Sequence, residues 1–344
     1  MQRTIRDVLL GMVLLLVMLE GVLRLLPVST ATHTGYHVDP AILGYPPGHA
    51  WRVSTGWDLR NAQRLRANNL GFAAERDFVP DPRAVALVGD SYVEASMLAA
   101  ADRPAAQLER ALGGARAVYA FGGPGSSLLD YVERIRFARD RTGVQDVVVL
   151  MEAGDVRQSL CGSGNVHSAC LDPKTLAPRV ERLPPPSVLK QVLRESALAQ
   201  YLFSQIRVDA GQLWRALTTR QVPEEDPPDR PQRRAATVRT ASPAAQAVVR
   251  RFVDQVRPLV PGRLVIVVDG RRDPAAVVDA RLAAERAAFI DGARAAGLTV
   301  IDAEPLFARH AASSPRSLQV GPYDGHLNAI GVGLVMQAAA QALR

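Results

Sequence analysis

Aromatic residues make up only 5% of the 344 positions, so Ala, Val and Leu must fill whatever core this chain builds. Two cysteines are too few for a structural zinc module, and no histidine pair near them has ligand spacing, although His167 lies between them. No G-x-G-x-x-G follows a predicted strand, which weighs against a flavodoxin-like cofactor binder. Also missing are a basic helix with heptads and an aromatic-rich basic sheet motif. The net charge of +7 and pI near 9.9 therefore point to an anionic polymer or lipid headgroups ahead of nucleic acid. What the chain does have is 48% hydrophobic residues, enough for one large core or two modest ones.

The N-terminus carries the longest apolar run. After Arg3 and Arg6, residues 8–19 are twelve uninterrupted non-polar positions, and the run resumes around Glu20 and Arg24 to end at Leu26 before Pro27. Glu20 and Arg24, spaced i, i+4, can pair on one helical face while Arg24 snorkels. The segment then reaches about 19 residues, roughly a bilayer's span. The positive flank comes first, which predicts a single-pass anchor (residues 1–27) in the cytoplasmic membrane with the bulk periplasmic or extracellular. A cleavable signal peptide competes, with small residues at Ser29-Thr30-Ala31, but that site lies far beyond the apolar run. Cys161 and Cys170 enclose eight residues, and in an exported chain the expectation is a disulfide, with two free thiols as the alternative.

Residues 28–80 are rich in Gly, Pro and His without a sustained period and read as an irregular arm packing on the body. Residues 81–344 then alternate strand and helix. Apolar runs at 84–88, 115–121, 147–151, 263–268 and 299–302 predict five strands. Helical spacing covers 94–112, 128–141, 244–260, 274–296 and 328–343. This pattern implies an α/β domain, a flavodoxin-like, three-layer, doubly wound parallel sheet with active groups at the carboxyl ends of the strands. The alternation is interrupted at about 157–242 by an insertion that is partly helical over 187–217 and Pro- and charge-rich beyond. There Arg230, Arg233, Arg234 and Arg239 either grip an anionic glycan or, the blander and favoured reading, decorate a solvated loop.

Residues 84–95 organise the rest. A buried strand runs into Gly89-Asp90-Ser91, where Gly89 permits a tight turn and Ser91 meets the unpaired N–H groups of the next helix. A serine there is either a helix cap or a nucleophile, and a nucleophile needs a base and oxyanion donors. Near the C-terminus, Tyr323-Asp324-Gly325-His326-Leu327-Asn328 precedes the last helix, with Asn328 as its N-cap. His326, in the loop after the final strand, falls on the same sheet edge as Ser91. Asp324 is placed to hold its Nδ1 proton. Among six histidines and 34 acids an Asp-x-His alone is weak, and it gains force beside the Gly-Asp-Ser and the Gly turn after strand two.

These motifs resemble those of SGNH (GDSL-type) hydrolases, close to the membrane-anchored members associated with bacterial surface polysaccharide. Gly89-Asp90-Ser91 is similar to the first block, residues 121–127 to the second and residues 324–328 to the fifth, so the likeness spans the body from strand one to the C-terminus. Gly44-Tyr45-Pro46 and Asn69-Leu70-Gly71-Phe72 are also similar to the arm of the anchored members. The resemblance implies Ser91 as nucleophile, His326 as general base and acid, and Asp324 as its orienter. It implies an oxyanion hole from the N–H groups of Ser91 and Gly125, with Asp90, Asp155 and Asn328 in support. The third block departs from the family's Gly-x-Asn-Asp: here it reads Glu152-Ala153-Gly154-Asp155, and Gly154 stands where the oxyanion asparagine belongs. The expectation is a membrane-anchored serine esterase or O-acyltransferase acting on acyl groups of an envelope or exported carbohydrate, needing no metal or organic cofactor. The competing expectation is a catalytically weak SGNH-like module that binds glycan or partners in surface-polymer assembly.

Overall fold

The computed structural model describes residues 2–123, 125–164, 169–206, 240–273, 279–321 and 323–344. His167 and the four arginines at 230, 233, 234 and 239 lie outside these. In chain order, α1 (Gln2–Leu25) is followed by the short strands β1 (Gly35–Asp39), β2 (Ile42–Gly44), β3 (Ala50–Thr55) and β4 (Arg60–Arg66). Then come β5 (Val85–Gly89), α2 (Ser91–Glu94), α3 (Pro104–Ala111), β6 (Val118–Phe121), α4 (Leu128–Thr142), β7 (Asp146–Met151) and α5 (Asp155–Gln158). The next stretch holds β8 (Ala169–Leu171), β9 (Pro178–Val180), α6 (Val188–Arg194) and α7 (Ala197–Ala199), which runs into a π-helical turn at Gln200–Gln205. The chain closes with α8 (Pro243–Val256), β10 (Leu264–Val268), α9 (Ala280–Ala295), β11 (Thr299–Asp302), α10 (Glu304–Ser313), β12 (Gln319–Gly321), β13 (Asp324–Leu327) and α11 (Ala329–Ala342).

These elements fall into two compact units. The larger comprises His33–His49, Arg66–Leu183 and Ala235–Arg344. Its centre is a five-stranded sheet in the order β6-β5-β7-β10-β11, every pair parallel. Numbered by sequence this is 2-1-3-4-5, the doubly wound order with its switch point between β5 and β7. All five expected strands are present, and their composition explains why: a strand covered on both faces must be apolar throughout. Ala86 and Val88 of β5 pack with α4, α8 and α9, whereas Val85 and Leu87 pack with α3, α10 and α11, giving the three layers. On one side of the sheet Phe72, Phe78, Phe121 and Phe137, four of the chain's eight phenylalanines, form one cluster.

The smaller unit comprises Met1–Thr32, Ala50–Leu65 and Pro184–Arg234. α1 contains a segment, Arg3–Leu25, long and apolar enough to cross a membrane, with a mean hydropathy of 2.3 over its most apolar 18 residues. The Gln205 side chain donates to Ser54 Oγ at 2.8 Å and to the Gly56 carbonyl at 2.9 Å, and accepts from Ser29 N at 3.3 Å. Tyr201 donates to the Trp57 carbonyl at 2.8 Å.

Three local expectations are corrected. Of the helix expected over 94–112 only α3 is α-helical: α2 has already ended at Ala95, which turns left-handed (φ 42°). Pro104 forces Arg103 into an extended conformation (φ −67°, ψ 154°), so a helix restarts at the proline and cannot run through it. Residues 28–80, read as irregular, contain two short antiparallel ribbons, β1–β2 and β3–β4. Within the larger unit their neighbours are well tied. Asn68 Oδ1 accepts from Leu70 N and Phe72 N at 3.0 Å each, and the Tyr45 hydroxyl donates to buried Glu94 at 2.6 Å. Asp324 and His326 stand on a strand, β13, where a loop was expected, and β13 pairs with β12 outside the main sheet. The expected disulfide is formed: Cys161 and Cys170 are bonded, Cα atoms 5.2 Å apart.

Candidate active site

Four strands of the sheet deliver residues to one edge. After β5 the backbone must turn at Gly89 in very little space. A Cβ there would sit 2.4 Å from the Leu150 carbonyl oxygen on neighbouring β7 and 2.5 Å from Val93, so only glycine fits. Gly122, after β6, has the same constraint against the turn that carries Ser91: its Cβ would lie 2.6 Å from Glu94 N. Asp90 caps the single turn of α2, its carboxylate accepting from Tyr92 N at 2.8 Å, and Ser91 is the first helical residue.

Ser91 Oγ lies 2.8 Å from His326 Nε2, across 235 residues of sequence. His326 Nδ1 lies 2.5 Å from Asp324 Oδ1, which also accepts from the His326 backbone N–H at 2.9 Å. On a strand, residues i and i+2 face the same way, and the Asp-x-His spacing therefore brings carboxylate and ring together. An ionised carboxylate only accepts, so Nδ1 carries the hydrogen and the Nε2 lone pair is left for the serine hydroxyl. Burial disfavours a charged ring, but the hydrogen bond and charge of Asp324, with the charge of Asp90, outweigh it and hold His326 above its ordinary 6.5.

The remaining expected residues divide. Asp90 is buried, which pushes its carboxyl up to about 7 despite the Tyr92 N–H and the nearby His326. Asp155 is also held well above the ordinary carboxylate range, by burial and then by the charges of Asp90 and Glu152. It accepts from the Tyr131 hydroxyl at 2.8 Å and from Glu152 N at 2.9 Å, bracing the β7–α5 turn. Asn328 caps α11 through Ile330 N and Gly331 N, and its amide holds the Ser317 carbonyl at 2.7 Å. Gly125 sits in the turn after β6 with φ 75°. Gly154 offers no side chain, and its backbone N–H donates to Glu152 Oε2 at 2.6 Å, so that donor is already engaged.

Four residues of the site were missed from the sequence: Tyr92, Glu152, Asp269 and Arg272. The Tyr92 ring lies 4.7 Å from the His326 ring. Arg272 spreads its guanidinium over Tyr92, donates to the Tyr92 hydroxyl at 2.8 Å and to Asp269 Oδ2 at 2.5 Å, and reaches the Gly325 carbonyl between Asp324 and His326. Burial raises Asp269 to about 6, with Arg272 pulling the other way. A signal was present: Asp269 and Arg272 directly follow a predicted strand at its carboxyl end, where a doubly wound sheet binds ligands.

Tyr92, Glu152, Asp269 and Arg272 also line a cleft of about 710 Å³, walled further by Arg271, Asp273, Asp279, Arg286 and Glu304. Its lining carries five carboxylates against three guanidiniums, the reverse of the chain's overall sign. As for metals, Cys161, Cys170 and Glu181 lie within ligating distance of one another, but the two sulfurs are spent on each other.

Fold and site together define a doubly wound α/β protein with Ser91, His326 and Asp324 joined by hydrogen bonds at the carboxyl edge of its sheet, the arrangement that the resemblance to SGNH hydrolases implied. No family model and no curated protein matches the sequence. Among solved structures the chain is similar to an acetylxylan esterase from Geobacillus stearothermophilus (10% identity, 77% of this chain and 95% of that one, TM-score 0.42). It is also similar to an α/β hydrolase from a Lake Arreo metagenome (14% identity, 78% and 98%, TM-score 0.40) and to a lipolytic G-D-S-L protein from Veillonella parvula (10%, 75% and 96%, TM-score 0.40). Likeness at this level carries no functional argument, which rests on the side-chain geometry.

Proposed function

We propose that the protein is a membrane-anchored serine esterase, or an O-acyltransferase using the same groups, acting on acyl esters of an envelope or exported carbohydrate. The observation that carries this reading is the contact of Ser91 Oγ with His326 Nε2 at 2.8 Å while Asp324 holds Nδ1. In the first half-reaction His326 takes the Ser91 proton as Oγ attacks the ester carbonyl, and then returns it to the departing sugar oxygen. Water or a second sugar hydroxyl, deprotonated by the same ring, releases the acyl group from Ser91. The N–H groups of Ser91 and Gly125 are the oxyanion donors in this scheme.

The carbohydrate part rests on the motif resemblance and on the cleft. Carboxylates and guanidiniums side by side suit a ligand rich in hydroxyls. The excess of carboxylates disfavours an anionic sugar such as a uronate, and a neutral acylated polymer fits better. The anchor reading rests on α1, whose basic flank precedes its apolar stretch.

A second reading, a weak or inactive module that binds glycan or partners, is favoured by one observation: Gly154 replaces a side-chain donor and its N–H is held by Glu152. One such donor is worth about 10²- to 10³-fold in rate in other enzymes. Labelling of the full chain in detergent with a fluorophosphonate separates the two. Stoichiometric modification of Ser91, lost in Ser91→Ala and in His326→Ala, is expected of the enzyme. Folded protein that stays unlabelled leaves the binding module.

A further inference from the structure

The smaller unit holds an apolar surface that the esterase reading does not use. Around the α6 wheel Val188, Leu189, Val192 and Leu193 occupy one continuous arc, and Lys190, Gln191 and Arg194 the other. Val188 is 78%, Leu189 68% and Val192 65% exposed. What covers that face is indicated by where α6 is tied.

Glu20 belongs to the apolar helix α1, yet among the described residues its polar contacts draw in the α6–α7 segment or secure it. Its carboxylate accepts from Ser196 Oγ at 2.8 Å, Ala197 N at 3.0 Å and Leu198 N at 2.9 Å, and from Arg24 Nε at 2.7 Å. Arg24 also donates to the Glu195 carbonyl, the residue after α6, at 3.2 Å. The junction of α6 and α7 is therefore pinned to α1 at position 20. At 1.5 Å per residue that is about 7 Å short of the end of the apolar stretch at Leu25. From Val8 to Leu25 the helix is about 27 Å long, close to a hydrocarbon core of about 30 Å. A segment fixed at this height lies at the boundary between acyl chains and headgroups, the depth at which interfacial amphipathic helices rest.

We propose that α6 is a second membrane contact, an interfacial helix whose Val188–Leu189–Val192–Leu193 face enters the outer boundary of the bilayer beside α1. Lys190 and Arg194, at the edge of the polar arc, reach headgroup phosphates. The inference rests on α1 spanning the membrane. It gives Glu20 a purpose, because a carboxylate near the end of a span is tolerated when four donors satisfy it.

The test uses the full chain in phosphatidylcholine–phosphatidylglycerol vesicles, the native cysteines remaining in their disulfide. Single cysteines at Val13→Cys, Leu189→Cys and Gln191→Cys carry an environment-sensitive fluorophore and are quenched by lipids bearing nitroxides at shallow or deep positions. Expected is deep quenching at 13, shallow quenching at 189, and several-fold less quenching at 191, on the opposite side of the helix. Deep quenching at 13 with 189 no more quenched than 191 overturns the interfacial helix and leaves the span intact. Absence of quenching at 13 removes the span and the inference with it.

Discussion

Replacing Asp324 by Asn keeps the size of the side chain and removes its charge. In the native protein a single carboxylate oxygen holds the His326 ring at 2.5 Å and its backbone N–H at 2.9 Å, which fixes the tautomer that presents a lone pair to Ser91. An amide can bind the ring through its oxygen or through its NH2, so both tautomers become available, and the imidazolium formed during attack loses its counter-charge. The equivalent change in a well-studied serine hydrolase lowers kcat by about 10⁴, which is about 5 kcal/mol of barrier. A second signature comes from titration. The base must be neutral, so kcat/KM rises with pH along a limb set by His326, and in the native protein that limb lies above 6.5. Burial already works against the charged ring, and the upward pull comes first from Asp324. Its removal moves the limb to lower pH while the rate on the plateau falls. Hydrolysis of p-nitrophenyl acetate between pH 5 and 9 reads both. A variant within tenfold of the parent, or a limb that stays put or moves upward, would refute the assigned relay.

Arg272→Gln removes a positive charge that pulls His326 down, so its acid limb should move to higher pH, opposite to Asp324→Asn; the same pH series reads it, with kcat lower by about 10-fold or more as the Gly325 contact is lost. Gly89→Ala places a methyl 2.4 Å from a backbone oxygen that cannot yield, and calorimetry should show a loss at the upper end of the 1–3 kcal/mol typical of overpacking, or beyond it. Asp90 titrates near 7 in the fold against 3.8 unfolded, so its ionisation costs stability increasingly as pH rises from about 4 to above 7. Asp90→Asn, which still caps α2, should therefore stabilise the protein at pH 8.5 and do little at pH 4, as read by melting temperature. Opening the Cys161–Cys170 loop by a double Ser substitution should cost about 2–3 kcal/mol in the chain-entropy model, seen as a lower denaturant midpoint.

The parts of the fold legible in the sequence are those where burial leaves one option. β5, β7 and β10 carry unalternating apolar runs of about five residues, too short for an apolar helix such as α1 and unlike a half-exposed strand. Gly89 and Ser91 were legible because a strand, a glycine and a serine in succession constrain the backbone. β13 was not: Asp324-Gly325-His326-Leu327 has no strand propensity and exists through its pairing with β12, which periodicity cannot see. The arm strands are three to seven residues long, too short to set a period against their glycines and prolines. Arg272 was missed because Arg271-Arg272-Asp273 reads as a solvated charge run. Only the fold shows that Asp269 and Tyr92 take its guanidinium inside.

The β12–β13 ribbon stands apart from the sheet that carries Ser91, and it holds imidazole and carboxylate two residues apart on one rigid piece of backbone. Any swing of that piece carries both passengers together. The carboxylate–imidazole contact would be kept while the gap to the Ser91 hydroxyl widened or narrowed, so in the proposed reaction the distance set by the placement of this ribbon is the one between His326 and Ser91.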